Sequence, residues 1–450
     1  MTMSDYTTPT PEMQEGTSGK SNKKQQSTTW AAQQARRGGR SVVALSREGR
    51  ERPLKPSPSG PGLYRDRFGH DVPALRDSKY EWRQKKQKTL AVATLYRATD
   101  DHQHADRVVS CATWLQYLAD QAGDKRTLQA FNPCHLRLCP LCANRKARQM
   151  TARLVRILTA VKAEHPEATL LFLTLTVKNV PGNELRDTLA KLTKGWDRLA
   201  KRRPFLRAVL GWFRAVEITY NPTTDEYHAH IHAIAAVDGR AYFRVAVLLD
   251  RKGNEVKGED DKAIRSLYAN GLYIPHGRDD RDEGGNLKTP DWYKGPFWVD
   301  MWRDCMRLDY DPSVRISKVT GPKGEQRDTD AASYNAALEA AKYATKDSDY
   351  LNGKMPEAVR AGVLATYTAA LHRKRLVALG GWLADAAQGL DLEDDGDLVH
   401  GDEPSDEDLT AATAEMLESY GWHFGVGEHV LKDRTRNPDY TGQGGKWKRQ

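Results

Sequence analysis

Three histidines alternate within one apolar stretch, His228, His230 and His232 in EYHAHIHAIAAV. Successive strand side chains point to opposite faces, so this spacing puts all three imidazoles on one face, where they can converge on a single ion. Glu217 stands in the preceding apolar run GWFRAVEITY, across the short polar turn NPTTD, and adds a carboxylate to the same face if the strands pair in register. Three of the chain's 13 histidines fall within five positions, which favours a metal site over incidental surface histidines. The expected cofactor is a divalent ion, Mg2+ or Mn2+, and the mixed imidazole and carboxylate set suits manganese better.

A second group lies in LEAAKYATK, where Glu339 and Tyr343 stand four apart and share a helix face, with about 6 Å of rise between them. Lys342 and Lys346 flank that face. Tyrosine titrates near pH 10 and needs a Lewis acid or a nearby cation before it can attack phosphorus, whereas a neighbouring carboxylate can activate water. Taken alone, the pattern is weak, since Glu and Tyr at this spacing more often just decorate a helix. Tyr334 and Tyr350 are rival nucleophiles by proximity.

Cys134, Cys139 and Cys142 form a third group, with Cys111 upstream. Two thiols two residues apart, preceded by another, can offer thiolates to a tetrahedral zinc ion, and Cys111 would complete four ligands. His135, His102 and His104 are alternative fourth ligands, and free buried thiols are the other reading. Cys305 falls in an apolar helical pattern and is expected in the core.

In chain order, FLTLT (172–176), HAHIHAI (228–234) and EAAKYATK (339–346) resemble the three motifs of plasmid rolling-circle Rep proteins in the HUH endonuclease superfamily. The resemblance extends to the subclass with a glutamate four residues before its tyrosine, and to FNPCHLRLCPLCANRKARQ ahead of the first motif. It covers roughly residues 105–350. It implies that His230 and His232 are paired metal ligands, with His228 an extra histidine of the motif. Tyr343 would be the nucleophile and Glu339 the base of a terminating hydrolysis. It also implies plasmid origin DNA as partner, single-stranded or extruded as a hairpin, with host helicase and polymerase as further candidates. The first motif carries no assigned chemistry, so Thr174 and Thr176 read as strand residues under the site. A relaxase or transposase of the same superfamily, and a non-catalytic zinc-stabilised DNA-binding regulator, are the alternatives. Glu339 speaks against the first and the histidine triplet against the second. A small-molecule metallohydrolase would need ligands on further barrel strands, and the strand–helix alternation of a barrel is missing.

The elements that must carry these groups follow from periodicity. ATLLFLTLTV reads as a buried strand, KNVPGN opens a helix through Leu185, Leu189, Leu192 and Leu199, and residues 211–220 and 226–237 form an antiparallel hairpin. WYKGPFWVDMWRDCMRL and YNAALEAAKYATK are helix candidates around a strand SVRISKV. The expected fold is α+β, an antiparallel sheet covered by helices. Residues 1–90 read as a disordered basic arm and 105–165 as the cysteine-rich segment with a basic helix. The nicking domain is expected over 166–350, with a polar, partly helical insert at 238–290. A helical extension (351–386), an acidic linker (387–410) and a C-terminal segment (411–450) complete the chain.

Composition agrees with a nucleic-acid partner. The 450 residues carry 69 Lys and Arg against 60 Asp and Glu, a net charge of +9, with the acidic residues bunched near the C-terminus. No apolar run approaches the roughly 18 residues of a membrane span, so a cytoplasmic location without membrane contact is expected, where thiols stay reduced.

Overall fold

The computed structural model describes residues 53–76, 81–238, 244–247, 257, 261, 265–269, 272–273, 298–319, 335, 337, 339–340, 345–390 and 409–442. Three short strands, β1 (Lys55–Pro56), β2 (Leu63–Arg65) and β3 (Asp71–Pro73), precede the helices α1 (Trp82–Ala98) and α2 (His102–Ser110). Then come β4 (Trp114–Ala119), β5 (Arg126–Phe131) and the long helix α3 (Pro140–Glu164). The central run is β6 (Ala168–Thr176), α4 (Gly182–Leu199), α5 (Arg203–Ala208), β7 (Gly211–Asn221) and β8 (Glu226–Asp238). After β9 (Arg244–Val247), β10 (Arg265–Ala269) and β11 (Leu272–Tyr273) come α6 (Trp298–Met306) and β12 (Val314–Lys318). The chain ends through α7 (Ser348–Leu351), α8 (Glu357–Leu371), β13 (Val377–Gly381), α9 (Trp382–Gly389), β14 (Met416–His423) and β15 (Glu428–Arg436).

The expected α+β class with an antiparallel sheet is observed. Five strands pair in the order β12-β6-β8-β7-β13, every pair antiparallel. Strand alternation sorts side chains onto two faces. Leu171, Leu173, Val216, Ile218 and Ile231 join one core with Leu185, Leu189, Leu192, Trp196 and Leu199 of α4. Each of those fully buried α4 side chains contributes about 1.5–3 kcal/mol. On the opposite face Leu170, Phe213, Ile234 and Ala236 pack with Leu154, Ile157, Leu158 and Val161 of α3, and with Ala337 and Ala340. His230, His232 and Glu217 share the parity of that second face and occupy its far end. Gly381 ends β13 at φ 55°, ψ −145°, a conformation open to glycine alone. A Cβ there would also lie 2.1 Å from Leu210 O, so glycine lets the chain turn from the sheet into α9.

Several expectations need correction. Within the arm expected over 1–90, the described residues 53–76 and 81–90 are folded: β1 to β3 form a small sheet, and Leu75 N–H donates to His429 O at 2.8 Å. Trp82, Lys86, Thr89, Ala93 and Tyr96 bury one face of α1. Two polar residues interrupt that stripe, and the strands are anchored by partners some 350 residues away, so composition alone hid both. Residues 1–52 lie outside the described residues. The segment 105–165 contains the hairpin β4–β5 ahead of its helix. Where described, the insert at 238–290 is β9, β10 and β11 in antiparallel pairing, and not helical. The helical extension contains strand β13, and α9 runs to Gly389, into the stretch expected as the acidic linker from 387; 391–408 lie outside the described residues. The C-terminal hairpin β14–β15 joins β4–β5 in a sheet of order β15-β14-β4-β5. Cys305 is buried in α6, as its pattern implied. Among the described residues, no helix is long and apolar enough to cross a membrane.

Candidate active site

β8 is the central strand, so each histidine has a neighbour on both sides. Glu217 lies directly opposite His230 on β7, with Thr176 opposite it on β6; Thr174 and Ala215 flank His232 in the same way. Glu217 Oε2 is 3.0 Å from His232 Nε2 and 3.5 Å from His230 Nε2, and the two Nε2 atoms are 3.1 Å apart. Ligand atoms of these three residues all lie within 4.8 Å of one another, and the residues are only 5–8% exposed. Two aromatic nitrogens and a carboxylate oxygen converging in a buried pocket fit a divalent ion. Burial pushes the Glu217 carboxyl up, but hydrogen bonds to His230 and His232 and their positive charge outweigh it and hold the carboxyl well below its usual range.

His228 is on the same face but outside that group. Its ring stacks on His230, with centroids 4.9 Å apart, and burial, followed by the charge of His230, lowers its affinity for a proton. The Thr174 hydroxyl lies 3.2 Å from His232 Nδ1. An imidazole that presents a bare Nε2 to an ion carries its proton on Nδ1, and Thr174 Oγ1 accepts it, which fixes tautomer and ring plane. The sequence pattern placed Thr174 under the site without this role.

Of the tyrosine motif, Glu339 is helical and half-buried between Ala337 and Ala340, both buried on the sheet face that carries the histidines. Lys342, Tyr343 and the rival Tyr334 lie outside the described residues. The chain re-enters the description at Thr345, which bridges in parallel to Ile218, the residue after Glu217. Lys346 then reaches Glu217 Oε1 at 3.5 Å, so it is a counter-ion of the carboxylate. Tyr350 does not suit the nucleophile's part: it is 1% exposed and donates its hydroxyl to Leu138 O at 3.1 Å.

The cysteine group closes as four thiols. Cys111 ends α2, Cys134 follows β5, Cys139 is the N-cap of α3 and Cys142 lies in its first turn, with Pro140 at the first helical position. Sulfur separations are 3.5 Å for Cys111–Cys142 and 3.7 Å for both Cys134–Cys142 and Cys111–Cys139. A tetrahedron with metal–sulfur bonds of about 2.3 Å has edges near 3.8 Å, so the set fits zinc. The first turn of a helix also favours thiolates. His104 is engaged elsewhere, bonded to Asp101 and stacked on Tyr96, and His135 is exposed. Lys86, wholly buried, donates to the carbonyls of Val109, at 2.6 Å, and Cys111. Burial pushes its ammonium down to about 8 against the pull of the four cysteines. Reading the N-terminal stretch as an arm hid it.

A family model described as Replication protein (Rep_1) matches residues 125–252 and 288–426, together more than half of the chain. The chain belongs to this replication protein family. Among similar proteins of the family, a "Protein rep" of Bacillus amyloliquefaciens is 29% identical over 370 residues, covering 79% of this chain and 94% of its own. A "Protein rep" of Streptococcus pneumoniae is 28% identical over 339 residues, 74% of this chain and 87% of its own. A "Replication protein" of Staphylococcus aureus is 29% identical over 258 residues, 56% of this chain and 88% of its own. No solved structure matches the chain. The matched stretches of the replication protein family include both β-strands of the candidate metal site, Glu339 and three of the four cysteines.

Proposed function

We propose that this chain is a plasmid rolling-circle replication initiator, an endonuclease that nicks one strand of its origin and remains joined to it through Tyr343. The observation that carries the reading is the convergence of His230, His232 and Glu217 on one sheet face in a replication protein, beside the point where the chain returns at Thr345. A bound Mn2+ or Mg2+ would polarise the scissile phosphate and stabilise charge on its oxygens.

The protein's own groups do the rest. His230 and His232 would hold the ion, with Glu217 supplying a carboxylate oxygen, and the Thr174 hydroxyl beside His232 Nδ1 would set that ring's tautomer. Tyr343 Oη attacks phosphorus as it loses its proton, a P–O bond forms to the tyrosine, and the bond to the 3′-oxygen breaks. That oxygen takes a proton and becomes the 3′-hydroxyl primer, and the 5′ end stays as phosphotyrosine. Glu339 takes a proton from water in the terminating hydrolysis, so one tyrosine suffices. The substrate is unpaired origin DNA, since the phosphate must reach the sheet face.

Two variants test the reading on single-stranded origin DNA. Tyr343→Phe is expected to fold and bind DNA but to give no nick and no covalent adduct. Glu339→Ala is expected to nick and then accumulate adduct, with terminating hydrolysis slowed by roughly 10²- to 10⁴-fold. Normal adduct formation by Tyr343→Phe would move the nucleophile elsewhere, and clean termination by Glu339→Ala would favour a strand-transferring relaxase.

A further inference from the structure

The stretch from Thr345 to Leu351 is held from two sides. On one side it meets β7: Thr345 bridges to Ile218, Lys346 pairs with Glu217, and Asp349 Oδ2 accepts the Tyr220 N–H at 3.3 Å. The same Asp349 oxygen accepts the Tyr367 hydroxyl of α8 at 2.7 Å. On the other side it meets the cysteine module. Tyr350 donates to the carbonyl of Leu138, the residue before Cys139, and Asp347 pairs with Lys88 of α1 at 2.9 Å. Arg137, also between Cys134 and Cys139, donates to Leu371 O and Lys374 O at 3.1 Å each, satisfying carbonyls at the C-terminal end of α8. The contacts leave an open groove of about 500 Å³, lined by Lys85, Lys88, Asn144, Glu217 and Lys346.

Among the described residues, the cysteine group and the Glu217–His230–His232 group form two separate clusters. The cysteine loop instead grips Tyr350 and the end of α8, through partners more than 200 residues apart in the chain. We propose that the loop between Cys134 and Cys139 is a positioning device for strand cleavage: by holding Tyr350 and the end of α8, it fixes Thr345–Leu351 at the Glu217 edge of the metal site. Tyr350, Arg137 and Lys88 are then positioning residues. The proposal rests on the nicking reading above for its consequence, though not for its geometry. Active-site groups displaced by about 1 Å lose rate steeply, so a loosened segment costs turnover before it costs binding.

The test uses the full-length chain as Tyr350→Phe, which keeps the ring and removes the hydroxyl, and Lys88→Met, which removes an exposed ion pair without touching the core. Amide hydrogen exchange of residues 345–351 is measured by mass spectrometry, beside adduct formation at saturating single-stranded origin DNA, DNA affinity and Mn2+ affinity. In Tyr350→Phe the exchange is expected to quicken about tenfold and adduct formation to slow by a similar factor, with both affinities within twofold of the parent; Lys88→Met should move the same readings in the same direction, by less. Unchanged exchange in both variants overturns the proposal. So does quickened exchange with an unchanged rate, because the segment's position would then not matter to cleavage. A parent that forms no adduct overturns the nicking reading instead, and the exchange comparison still decides whether the loop holds the segment.

Discussion

Thr174 shows what a single hydroxyl contributes at this site. Its Oγ1 is 3.2 Å from His232 Nδ1, the ring nitrogen on the opposite side from the Nε2 that faces Glu217. Outer partners of metal-binding histidines typically change metal affinity or activity by about 10- to 100-fold. Thr174→Val keeps the shape and removes the acceptor, so the Mn2+ concentration for half-maximal nicking is expected to rise by that factor, whereas Thr174→Ser should restore it. Equal metal dependence in all three proteins would show that the ring is oriented by its packing against Phe172 alone. The alternation of His228, His230 and His232 was legible because strand period is local. That Thr174 serves His232 was not, since it depends on register between β6 and β8, and the two residues are 58 positions apart.

Among the elements, the end of α2, the cysteine loop and the first turn of α3 bring four buried thiols together. Four buried thiols within 4.8 Å would repel one another as thiolates, and a tetrahedral dication removes that cost. The purified protein is expected to carry about one zinc ion per chain at this centre. Cys139→Ser should lower the zinc content and lower the melting temperature by roughly 5 °C or more, since losing a ligand of a structural metal removes several kcal/mol. Zinc-free parent protein with the same melting temperature would sink the assignment. Three of the ligands were evident from Cys134, Cys139 and Cys142 lying close in sequence. Cys111 was chosen over His135, His102 and His104 only by the way α2 ends against α3.

Across the whole molecule, the C-terminal hairpin closes on the N-terminal half through His429. It is 3% exposed, and its Nε2–H donates to Ala112 O at 2.7 Å, next to the cysteine ligand Cys111. Burial pushes its titration down from 6.5 to about 4; the bond to Ala112 opposes the shift and the charge of Lys86 adds to it. The unfolded chain therefore binds a proton between pH 6.5 and 4 that the folded chain refuses, and stability falls as pH drops through that window. The full contribution is on the order of 3 kcal/mol, present above pH 6.5 and lost towards pH 4. His429→Gln keeps a donor for Ala112 and does not titrate, so its melting temperature should fall less steeply over the window than the parent's. Parallel curves would show that His429 does not carry this pH dependence.

By itself the sequence determined what has a short period or a short reach: the β7–β8 hairpin with its histidines on one face, the leucine stripe of α4, the close-set thiols and the α+β class. Side-chain direction repeats every two residues in a strand and every 3.6 in a helix, so a few neighbours suffice to fix it. Only the tertiary structure decided which partners those faces meet. It turned residues 53–76 and 81–90 of the apparent arm into strands and the start of α1, because Leu75 and Trp82 find their partners in the C-terminal hairpin and on β4. It made β13 the fifth strand of the central sheet and laid the cysteine loop against Thr345–Leu351. Each of these contacts joins groups far apart in the chain, whose favourable burial exists only after the intervening chain has folded between them.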